Sequence, residues 1–167
     1  TVCGYSPRQR LDVVVNILTN LAFHKREITI YGGNQYRPNI HINDISEATI
    51  SILASSDEII KGQVFNVGFE NYSINEIANL VKSMLGDEVR LVNKQIHDLR
   101  SYHISSEKII NRINFKPRFS VERAIFDLIN VFKKAPKLKD KSESGELPNT
   151  SLSIIVPAYN EELLIWF

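Results

Sequence analysis

The stretch from residue 28 to residue 44, ITIYGGNQYRPNIHIND, constrains this chain more than any other. Ile28, Thr29, Ile30 and Tyr31 are β-branched or aromatic and suit a short strand. Gly32, Gly33 and Asn34 then force a turn, because glycine and asparagine accept positive φ at little cost. Pro38 steers Arg37 away from the helical region, so the guanidinium is presented from extended backbone. Residues 39–42 read as a second short extended piece. A helix is expected to start at Asn43–Asp44, with Asp44 or Ser46 as N-cap and Glu47 in its first turn. An arginine on extended chain beside a glycine-rich turn suits a two-pronged hold on a phosphate or carboxylate. The same residues also describe a surface arginine after a hairpin turn, and residue types alone leave both readings open.

Composition narrows the class. The 167 residues are 43% hydrophobic and 23% charged, enough for one globular domain with a real core. A net charge of +1 supplies no field that would point to nucleic acid or an acidic membrane. The single cysteine, Cys3, excludes an internal disulfide and a cysteine-built zinc site, and fits a reducing, cytoplasmic setting. The apolar runs fall far short of the roughly 18 residues of a membrane span. The opening TVCGYSPRQR lacks a signal-peptide layout and reads as if begun inside a strand, so a fragment of a longer protein is expected.

Before the central stretch, residues 1–3 read as the end of a buried strand stopped by Gly4 and Pro7. Residues 11–23 repeat apolar positions at three- and four-residue steps and predict a helix carrying Asn16. After it, a helix is expected over residues 45–54. Residues 63–67 predict a strand, with Gly68 and Asn71 in a turn. Ser73 with Glu76 is a capping box opening a helix that Gly86 closes. A strand is expected at 89–92, a short helix capped by Ser105 or Ser106 up to Ile113, and a last helix from Ser120 to about Lys133. Residues 134–150 then carry little to bury and read as a flexible linker. SLSIIVP, from Ser151, reads as a fresh strand.

Four pieces stand in a telling order: SPRQRLDVVVN (6–16), RPNIHINDIS (37–46), VFNVGFENYSINEIA (64–78), and HDLRSYHISSEKI (97–109) followed by NFKP (114–117). Together, over residues 1–133, they resemble the C-terminal, substrate-binding half of extended short-chain dehydrogenases, the NAD-dependent epimerases and dehydratases of nucleotide sugars. The resemblance implies an α/β, Rossmann-type fold truncated at both ends. It implies that Arg37 contacts the substrate diphosphate, that Asn16 touches the phosphates, and that Asp98 and Arg100 lie near the nucleotide. On residue type, a loop cap is the alternative for Asp98 and a solvent-facing polar residue the alternative for Asn16. His41 and His103 have pKa values suited to acid–base work, but His41 falls in a segment the family uses structurally. Two departures stand out. Gln95, Ile96 and His97 occupy ground where many members carry an arginine, and Asn114 replaces a customary glycine.

The family's hydride chemistry also needs a glycine-rich pyrophosphate loop and a Tyr–Lys pair four residues apart. The chain has no G-x-G-x-x-G. Positions four beyond its six tyrosines are Gln9, Gln35, Ile40, Glu76, Ser106 and Leu163. No catalytic residue and no cofactor-binding residue is therefore expected in this chain, and NAD is expected only in the full-length protein. Residues 151–162, SLSIIVPAYNEE, resemble the first strand of a family 2 glycosyltransferase. The combined expectation is an epimerase or dehydratase, a linker and a glycosyltransferase start at 151–167. Its partner is a nucleotide sugar and not nucleic acid, and a homodimeric full-length protein is compatible with the resemblance. The alternatives are a non-catalytic module that binds nucleotide sugar or scaffolds a partner, and part of a glycosyltransferase.

Overall fold

The computed structural model describes residues 1–95 and 100–134. The expected linker beyond Lys134, the glycosyltransferase-like start and Asp98 lie outside the described residues. The strands form two small sheets. In the first, β1 (Val2–Cys3) runs parallel to β3 (Tyr36–His41), and β3 pairs antiparallel with β4 (Glu70–Ser73). In the second, β2 (Glu27–Tyr31) lies parallel to β5 (Arg90–Lys94) over five aligned pairs.

The helices cover these sheets with the faces their periodicity dictates. Val15, Leu18 and Ala22 of α1 (Val14–Lys25) are buried with Ile77, Ala78 and Val81 of α4 (Ile74–Leu85). Ala124, Ile125 and Ile129 of α6 (Val121–Lys134) join them around Ile28 and Ile30 of β2. A second cluster gathers Ile45, Ala48 and Ile52 of α2 (Ile42–Leu53), Ile40 of β3, Phe65, and Ile109 of α5 (Glu107–Ile113). A single turn, α3 (Asp57–Ile60), connects α2 to the stretch carrying Phe65.

Local sequence explains several boundaries. Ser73 and Glu76 make both bonds of the capping box: Glu76 N–H donates to Ser73 Oγ at 3.2 Å, and Ser73 N–H donates to Glu76 Oε2 at 2.7 Å. Asn114 ends α5 with φ of 56°, the conformation expected of the residue standing in for glycine. Gly32 and Gly33 turn the chain with φ of 79° and 109°.

Other boundaries differ from expectation. Leu11 lies before α1, which begins at Val14. Residues 63–67 form no strand; the pairing partner of β3 is the more polar ENYS of β4, so Asn71 sits in a strand and not a turn. The helix after β3 starts at Ile42, capped by His41 and not by Asp44 or Ser46. Asp44 is instead fully buried. Its carboxylate accepts from Arg118 N at 3.1 and 3.0 Å and from Phe119 N at 2.8 Å. Glu70 on β4 accepts from Val121 N at 2.6 Å. Two acidic side chains from elements far away in sequence thus hold the entry to α6, as acidic groups at a helix N-terminus should.

Candidate functional site

The parallel pair β2–β5 ends at Tyr31 and Lys94, and Gly32 N–H closes the ladder on Lys94 O at 2.9 Å. Past β2, the glycine turn is wound tightly. Gly33 N–H donates to Gln35 Oε1, and Gln35 Nε2 donates back to Tyr31 O, both at 2.6 Å. That turn delivers Tyr36 and Arg37 at the start of β3. Arg37 Nη1 donates to its neighbour Tyr36 O at 3.0 Å and, across 63 residues of sequence, to Arg100 O at 2.6 Å. Its guanidinium carbon lies 5.1 Å from the Tyr102 ring centroid, a cation–π distance. Tyr36 and His103 stack with centroids 4.5 Å apart.

The segment 100–106 is not a regular strand, yet it follows the edge of the first sheet. Tyr36 N–H donates to Ser101 Oγ at 2.9 Å. Ile104 N–H donates to Asn71 Oδ1 at 3.1 Å, and Asn71 Nδ2 donates to Ile104 O at 3.3 Å. Ser106 Oγ accepts from Gly68 N and donates to Gly68 O, at 2.8 and 2.9 Å. The structure therefore brings the Arg37 guanidinium onto the backbone carbonyl of Arg100, at the start of β3 just past the glycine turn that follows β2. Tyr31, half exposed, and Lys94, whose Nζ lies 5.9 Å from the Tyr31 ring centroid, stand at the ends of β2 and β5.

Asn16 is placed elsewhere. It is buried rather than solvent-facing: its Oδ1 accepts from Gly4 N at 3.1 Å and its Nδ2 donates to Arg10 O at 2.8 Å. Gly4 follows β1, whose Cys3 pairs with His41 at the far end of β3. Arg37 lies four residues back, roughly 13 Å along the strand at about 3.3 Å per residue. Asn16 and Arg37 thus serve opposite ends of β3. Asp98 lies outside the described residues.

His41 is 2% exposed, with its ring centroid 5.0 Å from that of Phe119. Its Nδ1 accepts from Asn43 N at 3.1 Å, which puts the ring proton on Nε2. Nε2 is 3.5 Å from Asp127 Oδ2, too long for a good hydrogen bond. Burial holds its pKa below 6.5, against the opposing pull of Asp127 and Asp44. The imidazole is neutral and acts as a helix cap and core residue. Because the folded state resists protonation, stability is present above pH 6.5 and declines as pH falls from 6.5 towards the folded pKa. Urea midpoints of the wild type should therefore fall more steeply between pH 7 and pH 5 than those of His41→Asn, which keeps a capping side chain. Parallel slopes would contradict this.

The arrangement is an α/β fold of the Rossmann type. The model of the NAD dependent epimerase/dehydratase family matches residues 1–68. Among solved structures, UDP-glucose 4-epimerase from Thermotoga maritima with UDP-glucose is similar over 81% of this chain, at 23% identity and a TM-score of 0.69. UDP-glucuronic acid 4-epimerase from Bacillus cereus with UDP-glucuronic acid and NAD is similar over 80%, at 24% identity and 0.69. The dTDP-glucose 4,6-dehydratase from Bacillus anthracis with NAD is similar over 81%, at 19% identity and 0.65. The chain spans less than half of each of those proteins, 45%, 43% and 44% respectively. At these identities the likeness is one of fold. Among the described residues, no helix is long and apolar enough to cross a membrane.

Proposed function

We propose that this chain is the substrate-side portion of a nucleotide-sugar epimerase or dehydratase, and that it grips the diphosphate of a nucleotide sugar. The observation that carries the reading is Arg37, which crosses to Arg100 O at 2.6 Å from the start of β3, just past the glycine turn that follows β2. Arg37 supplies a planar fork to the diphosphate, with Arg100 beside it and Asp98 close to the nucleotide. Asn16 has a separate task, holding the loop from Gly4 to Arg10. The match of residues 1–68 to the epimerase/dehydratase family and the neighbours solved with UDP-sugars support this assignment.

The sequence carries no glycine-rich pyrophosphate loop and no Tyr-x-x-x-Lys. The chain alone therefore binds no NAD and transfers no hydride; NAD, homodimer formation and cytoplasmic residence belong to the full-length protein. A glycosyltransferase continuing from residues 151–167 would use the sugar donor that the first unit makes.

The test is calorimetric titration of the full-length protein with UDP, dTDP and the matching nucleosides. At least one diphosphate should bind ten or more times tighter than its nucleoside, since two charge-assisted bonds exceed about 1.4 kcal/mol. Equal affinities would remove the diphosphate reading.

A further inference from the structure

We infer that Asn71 is a positioning residue for the diphosphate site, an amide clasp that sets segment 100–106, and with it Arg100 and Tyr102, in register with Arg37. The inference rests on the function proposed above and names a residue to which that reading assigns no role.

Segment 100–106 lacks the ladder of a regular strand, so its backbone groups need other partners. One residue, Ile104, has both of its backbone groups taken by a single side chain. Asn71 Oδ1 accepts from Ile104 N at 3.1 Å and Nδ2 donates to Ile104 O at 3.3 Å. A primary amide presents one acceptor and two donors, so it can copy the face of a peptide unit. Asn71 is itself fixed within β4, opposite Pro38 of β3, one position from Arg37. The clasp therefore ties the segment to the strand pair that carries the arginine. Ser101 and Ser106 pin the two sides of Ile104, on Tyr36 and Gly68. The Ile104 side chain also lies on Gly68, where a Cβ would come within 2.5 Å of Ile104 Cδ1. Ser106 Oγ likewise takes both backbone groups of Gly68, but Asn71 holds a residue inside the segment, between Tyr102 and Ser106, with a planar amide. An ordered segment offers Arg100 and Tyr102 to a ligand already placed; a loosened one must be ordered at the moment of binding, which weakens affinity.

The test compares wild type, Asn71→Ala and the near-isosteric Asn71→Asp in the full-length protein. Asp keeps the acceptor for Ile104 N but sets a second oxygen against Ile104 O. Two readouts are needed: calorimetric affinity for the nucleoside diphosphate that the wild type binds, and amide hydrogen exchange. Both variants should bind about tenfold more weakly. Exchange should quicken at residues 101–106 in the free variants, return towards wild type when the nucleotide saturates the site, and stay unchanged in α1 and α4. Recovery of affinity by Asp would show that Asn71 only fills space and would overturn the inference. So would unchanged affinity in both variants, while the diphosphate site itself would stand. Exchange that quickens equally in α1 and α4 would mean a general stability role and would likewise overturn it. Failure of the wild type to bind any nucleoside diphosphate would remove the proposed function, and this inference with it.

Discussion

Replacing Asp44 by Ala should lower the unfolding free energy by about 3–5 kcal/mol, a large share of the roughly 5–15 kcal/mol that holds a domain together. The carboxylate is fully buried on α2 and satisfies two backbone donors, Arg118 N and Phe119 N. A hydrogen bond to a charged group contributes about 1.5–3 kcal/mol, and Ala would leave both donors without their acceptor. The damage would spread because those donors sit directly before α6, whose Ala124, Ile125, Leu128 and Phe132 are fully buried. Asp44→Asn should recover only part of the loss, since its amide NH2 meets N–H donors where an oxygen is needed. Urea denaturation of wild type and both variants checks this. A loss under about 1 kcal/mol for the Ala variant would contradict the anchoring role.

Asp44 also shows where sequence reading stops. Its residue type and place beside Asn43 match an N-cap, yet its partner lies 74 residues away at Arg118. Local pattern carries no record of such a contact. His41, a weak capping signal, took the cap because β3 runs directly into α2 with no loop between them. Where the physics is local, the sequence was legible: the Ser73–Glu76 box, the glycine turn after Tyr31 and the buried face of α6 all form as their spacing predicts. Residues 63–67 misled because β-branched composition reports a buried extended chain, not whether a partner strand is present. Phe65 and Val67 are buried as a strand's would be, but the pairing falls to residues 70–73. The site divided in the same way. The extended backbone at Arg37 was legible through Pro38 and the glycines, while its reading as a phosphate contact came from family resemblance. Its meeting with Arg100 spans 63 residues and could enter only through family resemblance.

Arg37→Ala should weaken nucleoside diphosphate binding by the full-length protein at least tenfold. The guanidinium is held from two sides before any ligand arrives, by hydrogen bonds to Tyr36 O and Arg100 O and by the Tyr102 ring at 5.1 Å. Preorganisation of this kind spares the entropy of ordering a long side chain, so the loss on truncation should be felt in full. Each hydrogen bond to a charged phosphate contributes about 1.5–3 kcal/mol, and about 1.4 kcal/mol is a factor of ten. Arg37→Lys should restore only part of the affinity, because a compact ammonium cannot span two oxygens or bridge to Arg100 O as the fork does. NAD affinity should barely change in either variant. The decisive measurement is calorimetric titration of wild type, Arg37→Ala and Arg37→Lys with the nucleoside diphosphate that binds best. A graded loss, wild type tightest and Ala weakest, is the predicted result; equal affinities across all three would show that Arg37 is a surface residue after a turn and that this end of the sheet holds no diphosphate site.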